Sequence, residues 1–191
     1  MSVNFEETDI DDLTPGARQI LEVASELFYD HGIHAVGVDT IAAESGVTKR
    51  TLYNNFGSKD SLVTSYLQNR HSGWWQHLQD RLADAAPPRA LTVFDVYAED
   101  SPAITRGCAF LNAAAEIPPD HPAYAVIRYH KQSIEEQLCV LIAEDFPAAA
   151  DPQRLARHLF LLLEGAFAHQ GISGHGLMMK AREIAADLLV R

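Results

Sequence analysis

Apolar residues recur at helical spacing along most of the chain, and strand-like alternation bounded by turn signals is almost absent. Ile20, Leu21, Ala24, Leu27 and Phe28 form the first stripe, behind Thr14 as N-cap and Pro15 in the first turn, with Gly32 as the stop. A short second helix is predicted from Val38 to Ser45, ended by Gly46, where a residue without Cβ can take the left-handed turn. A third follows from Lys49 to Asn55 behind Thr48. Ser58 then caps a long helix to about Ala85 that carries Leu62, Tyr66, Trp74, Trp75, Leu78 and Leu82 and is ended by Pro87-Pro88. Further helices are predicted near 89–98 and 105–117, from Pro122 to about Phe146 beyond Pro118-Pro119, over about 152–170, and over about 176–190 after a Gly-rich turn. The fold class is all-α, with no internal repeat.

Two short helices joined by a Gly-containing turn and packed on a longer first helix make a helix-turn-helix, whose second short helix enters the major groove. Charge first argues against this reading. The formal net charge is −11, whereas DNA binding draws on basic surface. Its distribution changes the picture. Residues 1–13 hold Glu6, Glu7, Asp9, Asp11 and Asp12 and no base, which reads as an acidic, disordered tail. Residues 14–60 sum to −2, yet three of their four bases lie between Lys49 and Lys59, so a DNA site would be small and local.

The ordered run Ile20-Leu-Glu-Val-Ala-Ser-Glu-Leu-Phe28, Gly32, Ile41-Ala-Ala-Glu-Ser-Gly-Val47, Thr51-Leu-Tyr-Asn-Asn-Phe56 and Gly57-Ser-Lys-Asp-Ser-Leu62 closely resembles the N-terminal domain of the TetR family of regulators. The resemblance implies a three-helix DNA-binding domain over 14–58, a helical-bundle ligand-binding and dimerisation domain over 59–191, a homodimer, and repression relieved by a small molecule. Arg106 to Glu116 is similar to a motif of one C-terminal subgroup. By position in the family, the residues that approach double-stranded operator DNA fall at Val38, Asp39, Thr40, Thr48, Lys49, Arg50, Thr51, Tyr53, Asn54, Asn55 and Lys59. Their chemistry agrees: Lys and Arg reach guanine acceptors, Asn pairs with adenine, and Thr51, Tyr53 and Lys59 suit phosphates. Ile41, Ala42, Val47, Leu52 and Phe56 read as scaffold. Three departures from the family pattern stand out: Gly37 in place of a Thr or Ser cap, Arg50 in place of a small residue, and Asn55 where His or Tyr is common.

Bundle interiors lined by aromatics and a few polar groups are ordinary small-molecule sites. The expected ligand residues are His71, Trp74, Trp75, Phe94, Tyr97, Phe110, Asn112, Glu116, Tyr124, Glu164 and Phe167, for an apolar or aromatic effector. Cys108, after Gly107 at a predicted helix start and near Arg106, offers a redox- or electrophile-sensing alternative. The last two predicted helices are apolar on more than one face, which places a symmetric dimer interface at Leu155, Leu159, Leu162, Leu163, Ala166, Leu177, Ile184 and Leu188.

No cofactor is expected. The nine histidines show no i, i+4 pair of ligands, although His169 and His175 flank one turn. GxSxG, HExxH, P-loop and dinucleotide fingerprints are missing, so the chain is read as no enzyme. The acidic start and the lack of a long apolar run predict a cytoplasmic protein with no membrane partner. Activation instead of repression remains an open alternative at this point.

Overall fold

The computed structural model describes residues 13–99, 106–169, 172 and 176–190. The acidic tail, except for Leu13, and His175 lie outside the described residues. Regular structure among the described residues is helical: α1 (Pro15–His31), α2 (Val38–Ser45), α3 (Lys49–Phe56), α4 (Lys59–Ala83), α5 (Ala90–Glu99), α6 (Ala109–Glu116), α7 (Ala123–Asp145), α8 (Pro152–Ala168) and α9 (Gly176–Leu189).

Local chemistry sets most of these bounds. Thr14 Oγ1 accepts from the Ala17 amide, and Pro15 sits in the first turn of α1. Gly46 ends α2 at φ 67°, in the left-handed region. Thr48 Oγ1 accepts from the Thr51 amide at the start of α3, and Ser58 Oγ accepts from the Ser61 amide at the start of α4. The Asp151 carboxylate caps α8, with Pro152 behind it. Helix α6 starts at Ala109, later than the sequence suggests, because Gly107 turns the chain at φ 71° just before it. A Cβ there would stand 3.6 Å from the carbonyl oxygens of Phe167 and Ala168.

The chain folds into two compact units, one built from residues up to Gly73 together with Ala109–Tyr129, the other from Trp74–Cys108 and His130 onward. In the first, α1 packs on α2 and α3. Ile20, Ile41, Leu52 and Leu62 are fully buried, and the Phe28 and Tyr66 rings meet at 5.8 Å. Burial of each such side chain contributes about 1.5–3 kcal/mol. In the second, α9 packs on both α8 and α5. Phe94, Leu78, Ile134, Leu138, Ile142, Leu159 and Leu163 fill its core. Arg89 bridges to Asp145 with its amide, Nε and Nη2 at 2.6–2.8 Å, tying the start of α5 to the end of α7.

Candidate nucleic-acid interface

Helix α3 is two-faced because Leu52 and Phe56, four apart, turn inward while the positions between them turn out. Lys49, Arg50, Tyr53 and Asn54 are exposed on that outer side. The Lys49 ammonium pairs with the Asp39 carboxylate on α2. Among the described residues Arg50 and Asn54 have no hydrogen-bonding partner, so their donors face solvent. Thr40 and Thr48 are exposed and Val38 half-buried at the rim. Thr48 and Thr51 are joined through their hydroxyls at 2.9 Å.

Two expected DNA contacts have other work in this structure. Asn55 Nδ2 donates to the Thr51 carbonyl at 2.7 Å, and its Oδ1 accepts from the Thr14 hydroxyl at 3.2 Å, which ties the end of α3 to the cap of α1. Lys59, expected at a phosphate, turns inward instead: Nζ donates to the Ile33 carbonyl at 2.6 Å and lies 5.9 Å from the centre of the Phe28 ring. Burial pushes its ammonium below the usual lysine range, against the pull of Asp60 and Glu116. Gly37 gives α2 no side-chain cap.

The family model for bacterial regulatory proteins of the tetR family matches residues 20–66. The activator FasR from Mycolicibacterium smegmatis is 51% identical over 53 residues, which is 28% of this chain and 24% of FasR. The chain thus spans about a quarter of that relative's length. The repressor DhaR from a Mycobacterium species is 24% identical over 166 residues, covering 83% of this chain and 84% of DhaR. Among solved structures, SCO4454, a TetR-family transcriptional regulator from Streptomyces coelicolor, is 30% identical with a TM-score of 0.84, covering 92% of this chain and 95% of that one. The chain belongs to the TetR family.

This TetR-family protein is therefore a DNA-binding transcriptional regulator with a helix-turn-helix, and no enzyme. The expected ligand residues of the regulator divide between its units. Trp74, Trp75, Tyr97, Glu164 and Phe167 form one connected set in the second unit. The Trp74 ring stands edge-on to Tyr97 at 5.2 Å and to His130 at 5.4 Å, and Tyr97 stands edge-on to Phe167 at 4.7 Å. The Tyr97 hydroxyl donates to Glu164 at 3.3 Å, and Lys131 Nζ reaches Glu164 at 2.6 Å and Cys108 Sγ at 3.4 Å. Phe94 is fully buried in the same unit.

His71, Phe110, Asn112, Glu116 and Tyr124 belong to the first unit instead. His71 lies edge-on to Tyr129 at 5.2 Å. The Glu116 carboxylate is engaged by the His34 amide and stands beside Gly32, so in this structure it holds a turn. Lys131 and His130 escaped sequence reasoning, although they fall on the apolar stripe Ile127, Ile134, Leu138 of α7, where a charged residue signals a buried partner.

The residues of the expected dimer face divide by burial. Leu159 and Leu163 have no exposed surface in the single subunit, because α8 turns them into its own core, whereas Ala166, though buried, lines the groove between α8 and α9. Leu177 and Ile184 are exposed, Leu155, Leu162 and Leu188 half-buried, and Leu161, unforeseen, is 62% exposed. Leu161, Leu162, Leu177 and Ile184 line one apolar groove of about 350 Å³ between α8 and α9. Among the described residues no helix is long and apolar enough to cross a membrane, and no three metal-ligating side chains gather. Cys108 and Cys139 are free thiols.

Proposed function

We propose that the protein is a homodimeric repressor that leaves a palindromic operator when a small apolar or aromatic ligand binds. The outer face of α3 carries this reading, with Arg50 and Asn54 unpaired beside Lys49 and Tyr53 on a helix held from behind by Leu52 and Phe56. Side chains of this kind read base edges and phosphates in a major groove. Residues 14–58 are the DNA-binding domain in this reading, and 59–191 serve ligand and dimer. Val38, Asp39, Thr40, Thr48 and Thr51 flank the groove contact. DhaR, similar over most of both chains, is named a repressor, whereas the likeness to the activator FasR extends over only 53 residues, 28% of this chain.

The apolar groove of α8 and α9 is the surface for the second subunit in this reading: Leu161, Leu177 and Ile184 lie exposed together along it, and a rimmed apolar groove suits a partner protein. The rings of Trp74, Tyr97 and Phe167, with Lys131, Glu164 and Tyr97 supplying the polar groups, form the effector site. A regulator of this kind acts where bacterial DNA lies, in the cytoplasm. Selection of bound fragments from random DNA tests the reading: an inverted repeat with half-site centres about 34–36 Å apart is expected, and purely nonspecific binding would exclude it.

A second reading has one observation in its favour, the Lys131 ammonium 3.4 Å from Cys108 Sγ. The thiolate is the reactive form of a cysteine, and this ammonium is placed to donate to the Cys108 sulfur. In this reading the thiol adds across an activated carbon–carbon double bond, a sulfur–carbon bond replacing the π bond and the thiol proton ending on the adjacent carbon. Release of operator DNA by an unsaturated aldehyde, lost in Cys108→Ser, would support it; release that survives the substitution would remove it.

A further inference from the structure

The turn that leads from α1 into α2 is held by groups from elsewhere in the fold. Its two consecutive polar backbone groups are gripped from two sides: Lys59 of α4 donates to the Ile33 carbonyl at 2.6 Å, and the His34 amide donates to Glu116 Oε2 at 2.8 Å. The His34 ring donates in turn from Nε2 to the Glu116 carbonyl, so one residue of α6 holds His34 twice. Gly32 completes the fit. At φ 93° it adopts a conformation that L side chains avoid, and a Cβ there would stand 2.9 Å from Glu116 Oε1, in the space the carboxylate occupies.

We infer that Glu116 is a positioning residue for operator binding, which fixes the α1–α2 turn and through it the setting of α2 and α3 against DNA. The inference rests on the reading of the outer face of α3 as the DNA surface. Helix α2 has Gly37 before it and no side-chain cap, so its first turn lacks the local anchor that Thr48 gives α3. Packing of Ile41 holds the body of α2 on α1, and the setting of its first turn falls to the turn behind it. A charge-assisted hydrogen bond from a backbone amide to a carboxylate is among the stronger single contacts available to such a turn.

Operator affinity of single variants, read by fluorescence anisotropy on the fragment recovered by selection, tests this. Loss of a hydrogen bond to a charged group corresponds to about a tenfold change or more. Glu116→Ala is therefore expected to bind the operator about tenfold or more weakly, with faster exchange of the His34 amide. Glu116→Gln, which keeps an acceptor, is expected to restore binding to within about threefold of wild type. A purely structural role would lower the melting temperature of both variants without this rescue. Equal operator affinity in Glu116→Ala and wild type overturns the inference. Should Glu116→Ala fail to fold, His34→Ala at its exposed position removes the ring contact alone. Weaker operator binding is then expected, and unchanged binding overturns the inference just the same. Failure of the wild-type protein to select any DNA would instead sink the α3 reading, and so is told apart.

Discussion

The Lys49 ammonium at the start of α3 forms an ion pair with the Asp39 carboxylate of α2. Both side chains are well exposed, at 52% and 72%. A pair of that kind contributes under about 1 kcal/mol. It is easily given up to a phosphate, yet at rest it cancels one of the few positive charges on the outer face of α3.

Asp39→Asn should therefore strengthen DNA binding of any sequence. One freed cation adds about 0.9 to the steepness of the logarithmic dependence of affinity on salt, if it meets one phosphate. Titrations at several salt concentrations measure the slope, and an unchanged slope would mean that Lys49 stays off the backbone.

Arg50 differs from Lys49 in having no partner among the described residues. Its guanidinium can address a base without first breaking a contact. Arg50→Ala is expected to cost about 1–3 kcal/mol on the selected operator and far less on random DNA. An equal loss on both would assign Arg50 to a phosphate.

Ile184 and Leu163 separate the proposed dimer face from the core. Ile184 is 44% exposed beside the α8–α9 groove, whereas Leu163 is fully buried. Ile184→Glu should give a folded monomer by sedimentation, with a preserved helical circular dichroism spectrum. Leu163→Glu should unfold the second unit, since a carboxylate would be buried without a partner. A stable dimer of Ile184→Glu would move the interface off this groove.

The Arg81 guanidinium, through its hydrogen bond, holds the Glu99 carboxyl below the usual carboxylate range, helped by His77. Folded-state acidity above that of the unfolded chain means that the contribution is present above the ordinary carboxylate pKa and is lost as pH falls through the lowered folded value. Glu99 is well exposed, so solvent screening keeps the effect on stability small. Carboxyl NMR titration reads it directly. Arg81→Met should move Glu99 back up toward the ordinary range, and no movement would mean that the contact does not persist in solution.

The helix-turn-helix was legible in the sequence because its signals are local. Thr14, Gly46 and Thr48 cap or end helices through atoms a few residues away, and the α1 stripe needs only the helical period to be recognised. The family pattern over residues 20–66 is equally a property of the chain read in order. The inward turn of Lys59 was hidden, since its acceptor, the Ile33 carbonyl, lies twenty-six residues away. Glu116 read as a ligand group for the same reason: its partner, the His34 amide, is eighty-two residues distant. Period alone marked α8 and α9 as apolar on several sides, but it could not say which side the subunit keeps. Packing of α9 on both α8 and α5 decided that, burying Leu159 and Leu163 and leaving Leu161, Leu177 and Ile184 outside. Capping and periodicity act within one turn of the chain, so the sequence carries them openly, whereas the partner of a buried charge or the covered face of a helix exists only once distant segments meet.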